Sequence, residues 1–153
     1  MGEIRDRIKD IPFIKELDEN YLKGFFRNIH LKQYKKHVQI FSQDSPLIEV
    51  FLILKGMVKI YKRKSCGREQ IVWILQSGDI FPVVGCFGKV SLPANAEAIE
   101  DSLIVSIGLN DFESMLLDNP TILIKLFGVM SDRIIELQAR LEEQILLEST
   151  CKL

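Results

Sequence analysis

The residues best suited to binding a small molecule lie in one short segment near the centre of the chain. The segment leaves a predicted strand through Gly78-Asp79, turns through small residues and enters the next strand through Pro93-Ala94. Its bulky side chains are apolar, whereas the turn itself is rich in small residues. The apolar side chains are Phe81, Val83, Val84, Phe87 and Leu92.

The cysteines point to a reducing environment. Cys66, Cys86 and Cys151 are odd in number and widely spaced, so they cannot form a complete internal disulfide set, and a cytoplasmic location is expected. Cys86 lies in the central turn. There it would serve as a haem thiolate or a redox-sensing thiol, or more commonly as a small buried hydrophobe.

Other residue combinations give little support for catalysis. The two histidines, His30 and His37, lie near the edge of the predicted domain. A metal site would need several imidazoles and carboxylates that converge inside the fold. No serine or cysteine has an obvious histidine partner, and no glycine-rich phosphate loop is present. The sequence therefore predicts a binding protein with no enzymatic activity and no metal.

Composition and charge are those of one globular domain. The 153 residues are 47% hydrophobic and 27% charged, and 20 basic against 21 acidic side chains give a net charge of −1. Domains that bind nucleic acid by bulk charge are normally basic. A basic run within residues 55–68 is interpreted as the solvated face of an edge hairpin. The apolar stretch at 122–130 is too short for a bilayer and the N-terminus lacks a signal-peptide core, so no membrane contact is expected.

The period of the hydrophobic pattern divides the chain into three zones. Residues 1 to about 36 are predicted to form short helices, with one ending at Pro12 and the next beginning at Asp18. The middle zone alternates with period two and contains short β-rich segments between turns, which predicts an antiparallel sandwich, jelly roll or barrel. The predicted strands are Val38–Phe41, Val50–Leu54, Met57–Tyr61, Gln70–Leu75, Ala94–Ile99 and Leu103–Ile107.

The last zone is helical and carries a predicted dimer interface. A short helix begins at Asn110, and Pro120 suits the first turn of a longer helix that reaches about Glu148. Apolar residues repeat along this long helix at spacings of three and four, as in a coiled coil. Such a stripe would lie on the chain's own sheet or pair with a second copy, and a homodimer is favoured because the stripe extends past the domain. The predicted interface consists of Phe127, Met130, Ile134, Leu137, Leu141 and Gln144.

Five segments in this order resemble the cyclic-nucleotide-binding β-roll. They are residues 34–44, 51–61, 67–71, 78–87 and 92–98, followed by the short helix, Asn119-Pro120 and the long helix. Across essentially the whole chain, this order is similar to the sensor half of the Crp/Fnr bacterial regulators, the catabolite-activator and fumarate–nitrate type. The resemblance implies a mainly β protein with flanking helices, in which an antiparallel β-roll, a double-stranded jelly roll, precedes a long C-terminal dimerisation helix.

The resemblance also implies a division of the chain and a mechanism. Residues 1–119 would form the sensor domain, 120–148 the dimerisation helix, and 149–153 the hinge or start of a DNA-binding domain. A small-molecule effector in the β-roll would bias the packing of two long helices and so control DNA binding by a helix-turn-helix domain that this chain lacks. The chain would then be a truncated regulator or a natural sensor-only protein.

The phosphate-binding part of the family pattern is altered in this sequence. Pro82 and Val83 stand where the family has Gly-Glu, and Leu92-Pro93-Ala94 where it has Arg-Ser-Ala. A buried phosphate without its guanidinium costs several kcal/mol, so cyclic AMP is not expected to bind in the usual way. Lys89 would replace the arginine if the turn folded inward. A cyclic-nucleotide module with an unusual cassette, or a ligand-free interaction domain, remains an alternative.

The effector of the resembling domain would contact the central turn and the long helix. The apolar side chains of the turn would suit an uncharged aromatic or lipid-like effector, or would fill the implied pocket and leave no room for one. Leu137 and Gln138 occupy helix positions that reach the pocket in relatives and would relay occupancy. Haem is one possible ligand, whereas the iron–sulfur cluster of fumarate–nitrate regulators needs several N-terminal cysteines and is not expected. The implied pocket consists of Phe81, Pro82, Val83, Val84, Gly85, Cys86, Phe87, Leu92, Pro93, Ala94, Asn95, Leu137 and Gln138.

Overall fold

Two antiparallel sheets lie between helices from the two ends of the chain. The computed structural model describes residues 2–11, 14–15, 17–82 and 91–151. Eight strands and four helices occur in these residues. They are α1 (Gly2–Lys9), α2 (Glu19–Asn28), β1 (Ile29–Tyr34), β2 (Gln39–Phe41), β3 (Glu49–Lys55), β4 (Met57–Arg63), β5 (Glu69–Gln76), β6 (Ile80–Phe81), β7 (Asn95–Ala98), β8 (Ser102–Gly108), α3 (Leu109–Asp118) and α4 (Pro120–Cys151).

The strands form two four-stranded sheets, and this arrangement confirms the predicted β-roll. The first sheet has the order β1-β8-β3-β6 and the second has the order β2-β7-β4-β5. The prediction that residues up to about 36 are helical was wrong for β1. That strand pairs with β8 from Ile29 opposite Ile107 to Tyr34 opposite Ser102. Its own burial pattern is irregular, so pairing with β8 establishes it as a strand. The two-residue β6 was also missed.

Strand β3 is buried on both faces because it separates the two halves of the core. Phe51 and Ile53 belong to the cluster between the two sheets. Val50, Leu52 and Leu54 belong to the other cluster, which the helices α1 to α4 cover. Successive strand residues point to opposite faces, so one strand supplies side chains to both clusters.

Helix α4 begins in the core and then leaves it. Ile122 and Leu126 in its first two turns are buried, as the Asn119-Pro120 junction places them against the helical cluster. From Leu137 onward every described side chain of the helix is exposed. Residues 149–151 continue α4, and the hinge assigned to 149–153 stays a prediction, with 152–153 outside the described residues.

The tight turn between β3 and β4 depends on a glycine. Gly56 has φ of +114°, and a Cβ added there would overlap the Ser102 side chain and come within 2.7 Å of the Ser102 Cα. We expect Gly56→Ala to lower the free energy of unfolding by about 2 to 4 kcal/mol, through left-handed strain and steric overlap together. Gly67 is the matched control, because it has φ of +89° but no atom within 4 Å of an added Cβ.

For Gly67→Ala, we expect a loss of about 1 kcal/mol from backbone strain alone. Urea unfolding followed by circular dichroism measures both variants. Equal losses of unfolding free energy in the two variants would show that overlap with Ser102 does not contribute to the cost of a side chain at position 56.

Candidate functional site

A cavity of about 330 Å³ lies between the second sheet and α4. This size is at the small end of the range for ligand pockets. Strands β2, β4 and β5 form one wall, the β6–β7 connection forms the end, and α4 forms the opposite wall. The lining residues are Phe41, Ile60, Lys62, Val72, Trp73, Leu75, Phe81, Pro82, Pro93, Ala94, Met130, Arg133, Ile134 and Leu137.

Five of the residues assigned to the pocket from the sequence line this cavity. They are Phe81, Pro82, Pro93, Ala94 and Leu137. Five others and the loop lysine fall outside the described residues. These are Val83, Val84, Gly85, Cys86, Phe87 and Lys89.

The remaining three assigned residues are placed away from the cavity lining. Leu92 is buried, and its backbone pairs with Asp44 and Ser45. The Asn95 side chain accepts a hydrogen bond from the Gln43 backbone N–H at 2.8 Å. Gln138 is exposed on α4. Leu92, Asn95 and Gln138 therefore do not line this cavity in the single chain, and their assignment to an effector pocket stays a prediction.

Aromatic rings form the floor of the cavity. The Phe51 and Phe81 rings stack with centroids 5.4 Å apart, and the Phe41 ring lies 6.0 Å from each. Phe81 precedes a cis peptide bond to Pro82. Since Phe51 and Phe81 are almost fully buried, this floor is continuous with the core between the sheets.

Two arginines of α4 lie over the only tryptophan of the chain. The Arg133 guanidinium is 5.9 Å and the Arg140 guanidinium 4.7 Å from the centre of the Trp73 ring. Arg133 is also 3.7 Å from Asp79 Oδ1. These contacts are cation–π and ionic interactions that hold α4 over β5. This group was not predicted from the sequence, although Trp73 and Leu75 share one face of β5 by period two.

The basic hairpin formed by β4 and β5 contains both paired and unpaired cations. The Lys59 ammonium donates to Glu69 Oε2 at 2.7 Å and lies 3.5 Å from Glu97 Oε2. The hydrogen bond to Glu69 raises the pKa of Lys59, and the same bond lowers the pKa of Glu69. Lys62 is exposed, in agreement with the interpretation of this run as a solvated face, and it also contributes to the cavity lining.

The predicted dimer stripe is divided between two faces of α4. Met130, Ile134 and Leu137 line the cavity of their own chain. Phe127 and Leu141 are 72% and 57% exposed. Gln144 is exposed as well. The stripe from Phe127 to Gln144 therefore does not form one continuous outer face.

A stripe of α4 that shares Phe127, Ile134 and Leu141 with the predicted one is apolar and turned outward. It repeats at spacings of three, seven, seven and four residues, which keeps its members on one side of a helix. Its least exposed members are still more than half exposed. We call it the outer stripe, and it consists of Ile124, Phe127, Ile134, Leu141 and Ile145.

The described residues contain neither a membrane-crossing helix nor a metal cluster. No helix in this part of the chain combines the length and the apolar character needed to cross a bilayer. Within residues 2–11, 14–15, 17–82 and 91–151, no group of three or more His, Cys, Asp or Glu side chains is placed to hold a metal ion.

The fold is that of a cyclic-nucleotide-binding domain. Residues 31–119 match the family described as "Cyclic nucleotide-binding domain", and the chain belongs to this family. Its curated relatives are transcription regulators of the Crp/Fnr type.

The electron transport regulator A of Shewanella oneidensis is 30% identical to the chain over 118 residues, which are 77% of this chain and 45% of that protein. The CRP-like cAMP-activated global transcriptional regulator of Mycobacterium tuberculosis is 27% identical over 95 residues, 62% of this chain and 42% of that one. The chain thus spans about half the length of the curated relatives that it matches.

Among solved structures, the sensor domain of the transcriptional regulator DNR from Pseudomonas aeruginosa superposes with a TM-score of 0.76 at 20% identity. The superposition covers 86% of this chain and 89% of that domain. At this identity the likeness supports the fold, a β-roll followed by a long helix, as the sequence analysis predicted.

Proposed function

We propose that this chain is the effector-sensing and dimerisation part of a Crp/Fnr-type transcription regulator. In this proposal an effector binds in the cavity under α4, two copies pair through their α4 helices, and occupancy of the cavity changes that pairing. The pairing in turn controls a helix-turn-helix DNA-binding domain that follows in the regulator.

The observation that carries the proposal is the double role of α4. One face of the helix supplies Met130, Arg133 and Leu137 to the cavity wall. The adjacent face carries the outer stripe, in which Ile134 belongs to both surfaces. A ligand that shifts the first face by even a small distance must therefore move the second, since both belong to one rigid helix.

The lining of the cavity supports an effector other than cyclic AMP. A cyclic nucleotide brings a phosphate, a ribose hydroxyl and the polar edge of a purine. Among the residues that the structure describes, Lys62 and Arg133 are the only lining residues with a charged or hydrogen-bonding side chain, apart from the indole N–H of Trp73. Both are cations, and no described lining side chain accepts a hydrogen bond from the ribose hydroxyl. Unpaired polar groups in such a site cost about 1 to 3 kcal/mol each.

A cyclic-nucleotide module with an unusual cassette is the second candidate. The observation that favours it is the pair of cations, because Arg133 and Lys62 would meet the cyclic phosphate from α4 and β4 in place of the missing family arginine. The first candidate predicts that cyclic AMP does not bind the folded chain, whereas the second predicts that it does. The mass of the folded chain with and without cyclic AMP distinguishes them.

A linkage experiment tests the allosteric part of the proposal. By thermodynamic reciprocity, if cavity occupancy changes dimerisation, dimerisation must change cavity affinity by the same factor. We expect the neutral fluorophore phenylnaphthylamine to bind the dimer and the double variant Phe127→Glu/Leu141→Glu with affinities that differ about five-fold or more. Fluorescence titration at equal protein concentration measures both.

Ala94→Leu supplies the blank for this titration. Ala94 lines the cavity, so a larger side chain there removes binding space, and any signal that persists arises elsewhere on the surface. Equal affinities of the monomeric and dimeric proteins, after subtraction of this blank, would contradict the coupling.

A further inference from the structure

Among the described residues, the cavity lining is apolar except for two cations on opposite walls and the indole N–H of Trp73. Lys62 extends from β4 and Arg133 from α4, and no described lining residue carries a negative charge. Lys62 is exposed and therefore solvated, whereas the Arg133 side chain is only 26% exposed. A ligand that covers Arg133 would bury its guanidinium further, which favours a ligand that carries the opposite charge.

Arg133 is only partly satisfied by its neighbours. Its guanidinium is 3.7 Å from Asp79 Oδ1, whereas a strong charge-assisted hydrogen bond measures about 2.7–2.9 Å. The other oxygen of the Asp79 carboxylate accepts from the Gln76 backbone N–H at 2.9 Å, which fixes the carboxylate at the turn. The guanidinium also lies over the Trp73 ring, but that contact uses its face, so most of its five N–H donors stay available.

Lys62 differs from the other lysine on its strand. Lys59 has Glu69 and Glu97 within ion-pair distance. Among the residues that the structure describes, no carboxylate lies within that distance of Lys62. Lys62 therefore adds positive potential at the cavity rim that no described acid cancels.

We infer that the effector is a small hydrophobic carboxylate, whose anionic group binds Arg133 with support from Lys62 and whose aromatic or acyl body packs against Trp73 and Phe81. This inference rests on the proposed function, because it names the ligand class of the same cavity. The rings of Trp73 and Phe81 supply flat apolar surface for the body, and a planar guanidinium matches a carboxylate with two parallel hydrogen bonds.

A displacement assay with a matched ligand pair tests the inference. Phenylnaphthylamine is bound to the chain first, and naphthoate or naphthamide is then titrated to displace it. The two competitors share the same ring system and differ in charge. For the wild-type chain we expect naphthoate to displace the fluorophore at a concentration about ten-fold lower than naphthamide.

Substitutions then locate the anion contact. In Arg133→Gln the preference for naphthoate over naphthamide should disappear, and in Lys62→Gln it should decrease. Arg140→Gln is the matched control, because Arg140 lies on the same helix and over the same Trp73 ring but does not line the cavity. The readout for each variant is the ratio of the displacing concentrations of naphthamide and naphthoate. A general change of the cavity affects both concentrations equally and therefore leaves this ratio unchanged. High salt should weaken the binding of naphthoate more than the binding of naphthamide, because salt screens the attraction between the carboxylate and the cations.

The outcomes separate this inference from the proposed function. If both competitors displace the fluorophore equally well from the wild-type chain, the inferred carboxylate class of the effector is wrong, but the proposal that the cavity binds an effector is not contradicted. If the fluorophore does not bind, or binds Ala94→Leu as well as the wild type, both are overturned. A preference for naphthoate that survives in both Arg133→Gln and Lys62→Gln also overturns the inference, as does displacement by cyclic AMP at lower concentration than naphthoate.

Discussion

The double variant Phe127→Glu/Leu141→Glu is expected to convert the chain from a dimer to a monomer. Both side chains lie in the outer stripe of α4 and are more than half exposed in a single chain, so the substitutions should leave the fold of one chain intact. In a helix pair they would bury two unpaired carboxylates per chain, at about 3 kcal/mol or more. The dissociation constant should therefore rise by about 100-fold or more.

Sedimentation velocity at several protein concentrations measures this change. Ile48→Glu is the control, because Ile48 is 67% exposed and lies far from α4 in sequence, between β2 and β3. We expect that variant to remain a dimer. If the double variant still sediments with the mass of a dimer, the outer stripe is not the dimer interface. If Ile48→Glu is monomeric, the two copies pair through a different surface.

Phe81→Ala is expected to cause the largest loss of stability among substitutions in the cavity wall. Phe81 is 2% exposed and stacks on Phe51, so its removal joins the cavity to the core between the sheets. Phenylalanine-to-alanine substitutions in cores cost about 3–5 kcal/mol. For a domain of this size, each kcal/mol corresponds to about 2–4 °C in Tm, so we expect Tm to fall by about 10 °C.

Differential scanning calorimetry measures this effect, with Ile71→Ala as the control. Ile71 lies on β5 and is 54% exposed, so we expect a change within about 0.5 kcal/mol. A similarly small change for Phe81→Ala would mean that the aromatic floor does not hold the two sheets together.

Patterns of hydrophobicity in the sequence were sufficient to predict most of the fold. The six predicted strands match β2, β3, β4, β5, β7 and β8 within one or two residues. The N-cap at Asp18, which accepts from the Tyr21 N–H, and the Asn119-Pro120 junction were also recognised from local chemistry. The strand β1 was missed because its pairing with β8 is a long-range interaction that its own sequence does not encode.

The candidate site was harder to predict, because it depends on how α4 packs on the sheet. The central turn directed attention to Phe81, Pro82 and Ala94, which line the cavity. The role of Arg133 follows from the rotation of α4 about its axis, which the heptad spacing does not determine when a helix has apolar residues on two adjacent faces. That rotation also divides the stripe that the sequence analysis assigned to the dimer.

The role of Asn95 was not predictable from the sequence for a different reason. Its amide accepts from the Gln43 backbone N–H and donates to the Tyr61 carbonyl at 3.4 Å. A buried asparagine near a predicted pocket suits ligand binding and backbone support equally well from sequence alone. Asn95 Oδ1 also accepts from the Gln39 side-chain amide at 3.3 Å. Together these hydrogen bonds, two with backbone groups and one with a side chain, fix the start of β7 beside the cavity.

A native mass spectrum of the purified chain, recorded with and without excess cyclic AMP, tests the central claim most directly. The claim is that α4 pairs two sensor domains whose cavities are not built for a cyclic nucleotide. The account predicts a dimer whose mass does not change when cyclic AMP is added. A mass of one chain alone would contradict the role of the outer stripe, and a dimer that gains two molecules of cyclic AMP would contradict the assignment of the cavity.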